Sequence, residues 1–120
     1  MGILNTFKDH FNKAEFTIAP NKKLKTISND FKKAFGLSLV FYKGNLIAED
    51  NLTLAGLNKK TSSAIQVKSD AEIKIRASMK VKDVEKAFQT TYGVKVQIKD
   101  KEAKKLVDDN ISLGDASRGD

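Results

Sequence analysis

Slid against itself, the 120-residue sequence matches at an offset of 57 residues, and this repeat restricts the folds open to it. Ala14-Glu15 falls on Ala71-Glu72, Lys23 on Lys80, Lys25 on Lys82, Phe31 on Phe88 and Gly36 on Gly93. After a two-residue insertion the match resumes, with Asp50-Asn51-Leu52-Thr53-Leu54 on Asp109-Asn110-Ile111-Ser112-Leu113. Chemical type agrees as well: Phe16 and Ile18 fall on Ile73 and Ile75, and Leu37, Leu39 and Phe41 on Val94, Val96 and Ile98. The spacing predicts a single domain over 1–120, with repeats at about 14–58 and 71–117.

Each half reads as strand, helix, strand and a short reversing element. Glu15 to Ala19 and its copy, Glu72 to Ala77, alternate with period two, as half-buried strands do. Leu24, Ile27, Phe31 and Phe35 form one helical stripe, and Val81, Val84, Phe88 and Tyr92 form its copy. Asn21 and Ser78 are the expected N-caps, and Gly36 and Gly93 the left-handed C-terminal residues. Alternating strands follow each glycine. Turns at Lys43-Gly44-Asn45 and Asp100-Lys101-Glu102 lead into short strands at Leu46 to Ala48 and Lys105 to Val107. Asp50 to Leu57 reads as one capped helical turn with Asp or Asn at the cap and Leu54 and Leu57 inward, and Ala64 to Lys68 as an extra strand. Ahead of the repeats, Ile3, Leu4, Phe7, Phe11 and Ala14 define an N-terminal amphipathic helix over about 3–13.

These elements predict an α+β fold, a two-layer sandwich built from a duplicated strand-helix-strand(-strand) unit. Right-handed crossovers put both helices on one face of a sheet and leave the other open. A ferredoxin-like interleaving, with the repeated first strands at the centre, is the expected arrangement. The alternative is β-grasp-like. The order over 37–67, a hairpin, Glu49-Asp50, Thr53-Leu54, a short helix and a strand from Ile65 to Val67, resembles the second half of ubiquitin-like β-grasp domains.

Few kinds of chemistry suit these residues. With no Cys and one His, His10, there is no thiol nucleophile, disulfide scaffold or multi-histidine metal site. The serines lack a nucleophile-elbow context and the glycines are scattered, so no phosphate loop forms. Glu49-Asp50-Asn51 and Asp108-Asp109-Asn110 precede a short apolar run in both halves, which suits capping better than cation coordination. No catalytic residue, metal, cofactor or small-molecule substrate is therefore expected. The apolar runs are too short to cross a bilayer, and no secretory leader is recognisable. A cytoplasmic protein with no membrane role is the expectation.

The expected function is binding through the open sheet face. Strand alternation turns Lys74, Arg76, Lys95, Gln97 and Lys99 outward from the second repeat, against Thr17, Ser38, Val40 and Tyr42 from the first. A net charge of +7 permits a polyanionic partner, yet the basic residues are overwhelmingly lysine and Tyr42 is the lone aromatic on that face. A protein partner or self-association through the sheet face and the N-terminal helix is thus expected ahead of weak, sequence-independent nucleic-acid binding.

Overall fold

The structure is a computed structural model, and it describes residues 15–61, 65–68 and 70–118. The expected N-terminal helix and His10 lie outside the described residues. In chain order the elements are β1 (Glu15–Ile18), α1 (Leu24–Phe35), β2 (Ser38–Lys43), β3 (Leu46–Ile47), α2 (Leu54–Lys59), β4 (Ile73–Arg76), α3 (Val81–Tyr92), β5 (Lys95–Lys99) and α4 (Leu113–Ser117). They form an α+β fold with two small antiparallel sheets, β1-β4 and β3-β2-β5.

The two long helices form where the apolar stripes place them. Each is 12 residues long, and each ends on a glycine with positive φ, Gly36 at 67° and Gly93 at 64°. Leu24, Ile27, Phe31 and Phe35 are buried from α1, and Val81, Val84, Phe88 and Tyr92 from α3. With Leu39 and Phe41 of β2, Val96 and Ile98 of β5, and Ile18 and Ile75 of the other sheet, they make one core. Phe88 is central to it, its ring 5.6 Å from Phe41 and 6.1 Å from Tyr92. Burying each such ring contributes about 1.5–3 kcal/mol by removal of apolar area from water.

The helix starts differ from expectation. The N-caps are Lys23 and Lys80, not Asn21 and Ser78, and neither makes a side-chain cap bond. Backbone carbonyls from the segment after the reversing element take that role. Leu24 and Lys25 donate their N–H groups to Leu52 O (2.8 Å) and Asp50 O (2.9 Å), and Val81 and Lys82 donate to Ile111 O (2.9 Å) and Asp109 O (3.0 Å). Unpaired first-turn amides need acceptors, and a nearby loop that supplies them makes a side-chain cap dispensable. The short helices are capped by Thr53 and Ser112, whose hydroxyls accept from Gly56 N (3.0 Å) and Asp115 N (3.1 Å), in place of the expected Asp or Asn. Leu54 and Leu57 point inward as expected.

Strand pairing also departs from the ferredoxin-like expectation. β1 pairs with β4 about Thr17↔Lys74, and β2 pairs with β5 about Val40↔Gln97, in separate sheets. In an interleaved sheet β2 and β5 would lie on opposite edges; here they are neighbours, and each long helix crosses from one sheet to the other. Alternation assigns a strand its faces but not its partner, so the sequence pattern suits either arrangement. Residues 65–68 are irregular, which removes the last strand that the β-grasp-like alternative requires. Of the expected strand at Lys105 to Val107, a single bridge, Lys99↔Leu106, is present.

Candidate interaction face

Directly opposed residues of an antiparallel pair share a face, so the ladder registers assemble the outward surface of β3-β2-β5. Ile47 lies opposite Tyr42, Tyr42 opposite Lys95, Val40 opposite Gln97, Ser38 opposite Lys99, and Lys99 opposite Leu106. The result is a polar and apolar mosaic with Ile47 at one corner and Leu106 at the diagonal one. Those corners are 68% and 60% exposed, high values for side chains that gain by leaving water. Beneath them Leu39, Phe41, Val96 and Ile98 face the core. At the upper end of the face the Lys95 Nζ stands 5.5 Å from the Tyr42 ring centroid, within range of a cation–π contact.

The expected site residues are therefore divided. Tyr42, Lys95, Gln97 and Lys99 share this face, whereas Lys74 and Arg76 extend from β4 in the other sheet. A single cationic face joining all six is corrected to two groups, because the strands that carry them pair with different partners. Ile47 and Leu106 are the members that the sequence reading left out. Both occupy the second position of the short segments after the turns, and their equivalence was the available signal.

Two grooves flank the face and share Gln89 and Lys95. The first has a volume of about 420 Å³ and is lined by Tyr42, Lys43, Gly44, Lys60, Thr61 and Gly93 besides the shared pair. Lys43, Lys60 and Lys95 bring three ammonium groups to it, with no carboxylate among its lining residues. The second, of about 370 Å³, runs along the far edge of β5 and contains Glu85 and Asp109. Burial and the neighbouring Asp109 carboxylate raise the Glu85 pKa, although its Oε2 accepts a hydrogen bond from Ile98 N at 3.3 Å. Among the described residues no three His, Asp or Glu side chains gather as a metal cluster would require, and no helix is long and apolar enough to cross a membrane. No family model, curated protein or solved structure matches the chain.

Proposed function

We propose that this chain is a non-catalytic binding module, built from one strand-helix-strand unit used twice, that holds another protein chain on the outward face of β3-β2-β5. The observation that carries this reading is the exposure of Ile47 and Leu106 at the corners of a face that also presents Tyr42 and Val40. Interface cores combine such aliphatic and aromatic contacts with a polar rim, which Ser38, Gln97, Lys95 and Lys99 supply. The partner is a second copy of this chain or a different protein. A photo-crosslinking amino acid in place of Tyr42, introduced in the cells that express the protein, tests the reading. One adduct of defined mass from that position, with none from a matched probe at exposed Lys32 on α1, is the expected result. Equal labelling at both positions, or none at Tyr42, counts against it.

A second reading has its own observation. The groove with Lys43, Lys60 and Lys95 beside Tyr42 offers ammonium groups to phosphates and one ring to a base. Fluorescence anisotropy with labelled single-stranded and double-stranded oligonucleotides across a salt series tests it. Binding near physiological salt that weakens steeply as salt rises, and is lost in Lys60→Glu/Lys95→Glu, supports this alternative. Binding confined to very low salt assigns the positive charge to solubility.

A further inference from the structure

The far edge of β5 carries a half-built strand. Ile98 donates its N–H to Glu85 Oε2 and accepts at its carbonyl from Val107 N (3.1 Å), so both its backbone groups point away from β2. Leu39 and Ile98 are therefore a non-hydrogen-bonded pair, and by alternation so are Phe41 and Val96. The bond from Ala48 N to Phe41 O (2.9 Å), on the far side of β2, agrees with that alternation. Val96 thus turns its N–H and C=O to the outer edge, where no described residue meets them.

The chain itself begins to cover this edge and then leaves it. Leu106 and Val107 lie beside Lys99 and Ile98, but beyond Val107 no further rung forms on β5, and Asp109 O takes the Lys82 N–H. The space where a continuing strand would lie opposite Gln97 and Val96 is the groove of about 370 Å³ between Glu85 and Gln89 of α3 and the pair Leu106 and Val107. The first half closes its equivalent edge differently. Ser28, which stands where Glu85 stands in the second half, donates its hydroxyl to Leu39 O at 2.9 Å. A carboxylate acceptor replaces that hydroxyl donor in the second half, and the carbonyl of Val96 is left open.

We propose that this groove accepts an extended segment of another protein as an added strand on β5, with a lysine or arginine directed to Glu85 and Asp109 and apolar neighbours directed to Leu106. Backbone pairing at an exposed edge provides the attachment, and alternate side chains provide the selectivity. The residue opposite Val96 shares the inner side on which α3 lies, and its two neighbours share the outer face with Gln97 and Leu106, so the pattern read is basic-in, apolar-out. The groove's two carboxylates, Glu85 and Asp109, outnumber its one ammonium, Lys95, in a chain of net charge +7, and argue for the basic residue by charge complementarity. This edge site shares Leu106 and Gln97 with the face reading, but Val40 and Ile47 take no part in it, so variants there tell the two apart.

The test is a titration of the full, isotope-labelled chain with a capped decapeptide of alternating valine and lysine, with a valine–glutamate decapeptide as control. Expected are amide shifts centred on Val96, slowed hydrogen exchange of the Val96 N–H, and at least tenfold preference for the lysine peptide. Leu106→Asp, on an exposed side chain, weakens binding about tenfold or more without lowering Tm; Glu85→Gln, which keeps an acceptor for the Ile98 N–H, reduces the preference for the lysine peptide, while Ile47→Asp leaves binding unchanged. Absence of binding at millimolar peptide, equal binding of both peptides, or shifts confined to Val40 and Ile47 overturn the proposal. The last outcome would instead favour the face reading.

Discussion

Tyr92 closes the core with a polar atom in an apolar setting. Its ring is fully buried, and its hydroxyl proton is shared between Ile18 O and Ala71 O, each 2.9 Å away, at the β1 end and just ahead of β4. The equivalent position in the first half is Phe35, so this clip is present once. Tyr92→Phe leaves two carbonyls without that donor and should cost about 1–3 kcal/mol in chemical denaturation. Burial, with the Glu72 carboxylate, pushes the phenol pKa from 10.0 up to about 12. An acid whose pKa is raised by folding supports stability below its unfolded value and loses that support as pH rises through the folded one. Tm of the parent chain should therefore fall between pH 10.0 and about 12 for this reason, and the Phe variant should lack that component. Glu85 follows the same sign at lower pH. Its ionisation is disfavoured first by burial and then by Asp109, so Glu85→Gln should raise Tm at neutral pH. The advantage should vanish below pH 4.5, where the carboxyl is protonated in both states. A flat Tm difference across that range would refute this account of the pair.

At the scale of elements, the paired motifs Asp50 to Leu54 and Asp109 to Leu113 serve as clasps. Each lays two carbonyls on the first amides of a long helix and then starts a short helix of its own, through the bridges Lys23↔Thr53 and Lys80↔Ser112. Thr53→Ala and Ser112→Ala each remove one side-chain acceptor, from Gly56 N and Asp115 N. Each should cost about 1 kcal/mol, and the two should add, because the caps lie in different halves and share no partner. Urea denaturation of both single variants and the double variant measures this. A strongly non-additive result would mean that the two clasps are coupled through the core.

At the scale of the molecule, each sheet takes one principal strand from each half. β1 needs β4, and β2 needs β5, with partners dozens of residues apart in sequence. A half therefore has helices but no completed long ladder, and its apolar residues have lost the surfaces they pack on. A fragment of residues 1–68 should be largely unfolded by circular dichroism, and so should 69–120. Mixed in equal amounts they should recover the β signal. Independent folding of either fragment would contradict a core that both halves must complete. Such long-range pairing also raises contact order, which slows folding relative to a helical bundle of this length.

Local periodicity was enough to settle the two long helices, their buried stripes, the glycine ends and the in-or-out sense of β2 and β5. Those properties depend on side-chain spacing within one element, and a sequence displays spacing directly. Residue type alone could not say that Asp50 and Leu52 carbonyls would replace Asn21 as the start of α1, because a carbonyl is common to every residue. Nor could it say that Lys74 and Arg76 would be separated from Lys95 and Lys99, since alternation assigns a strand its faces and leaves its neighbour open. The meeting of Glu85 with Asp109, the exposed corners at Ile47 and Leu106 and the open edge at Val96 follow from the same choice of partners. Pairing free energy is decided by contacts across the whole chain, so the tertiary structure alone determined them.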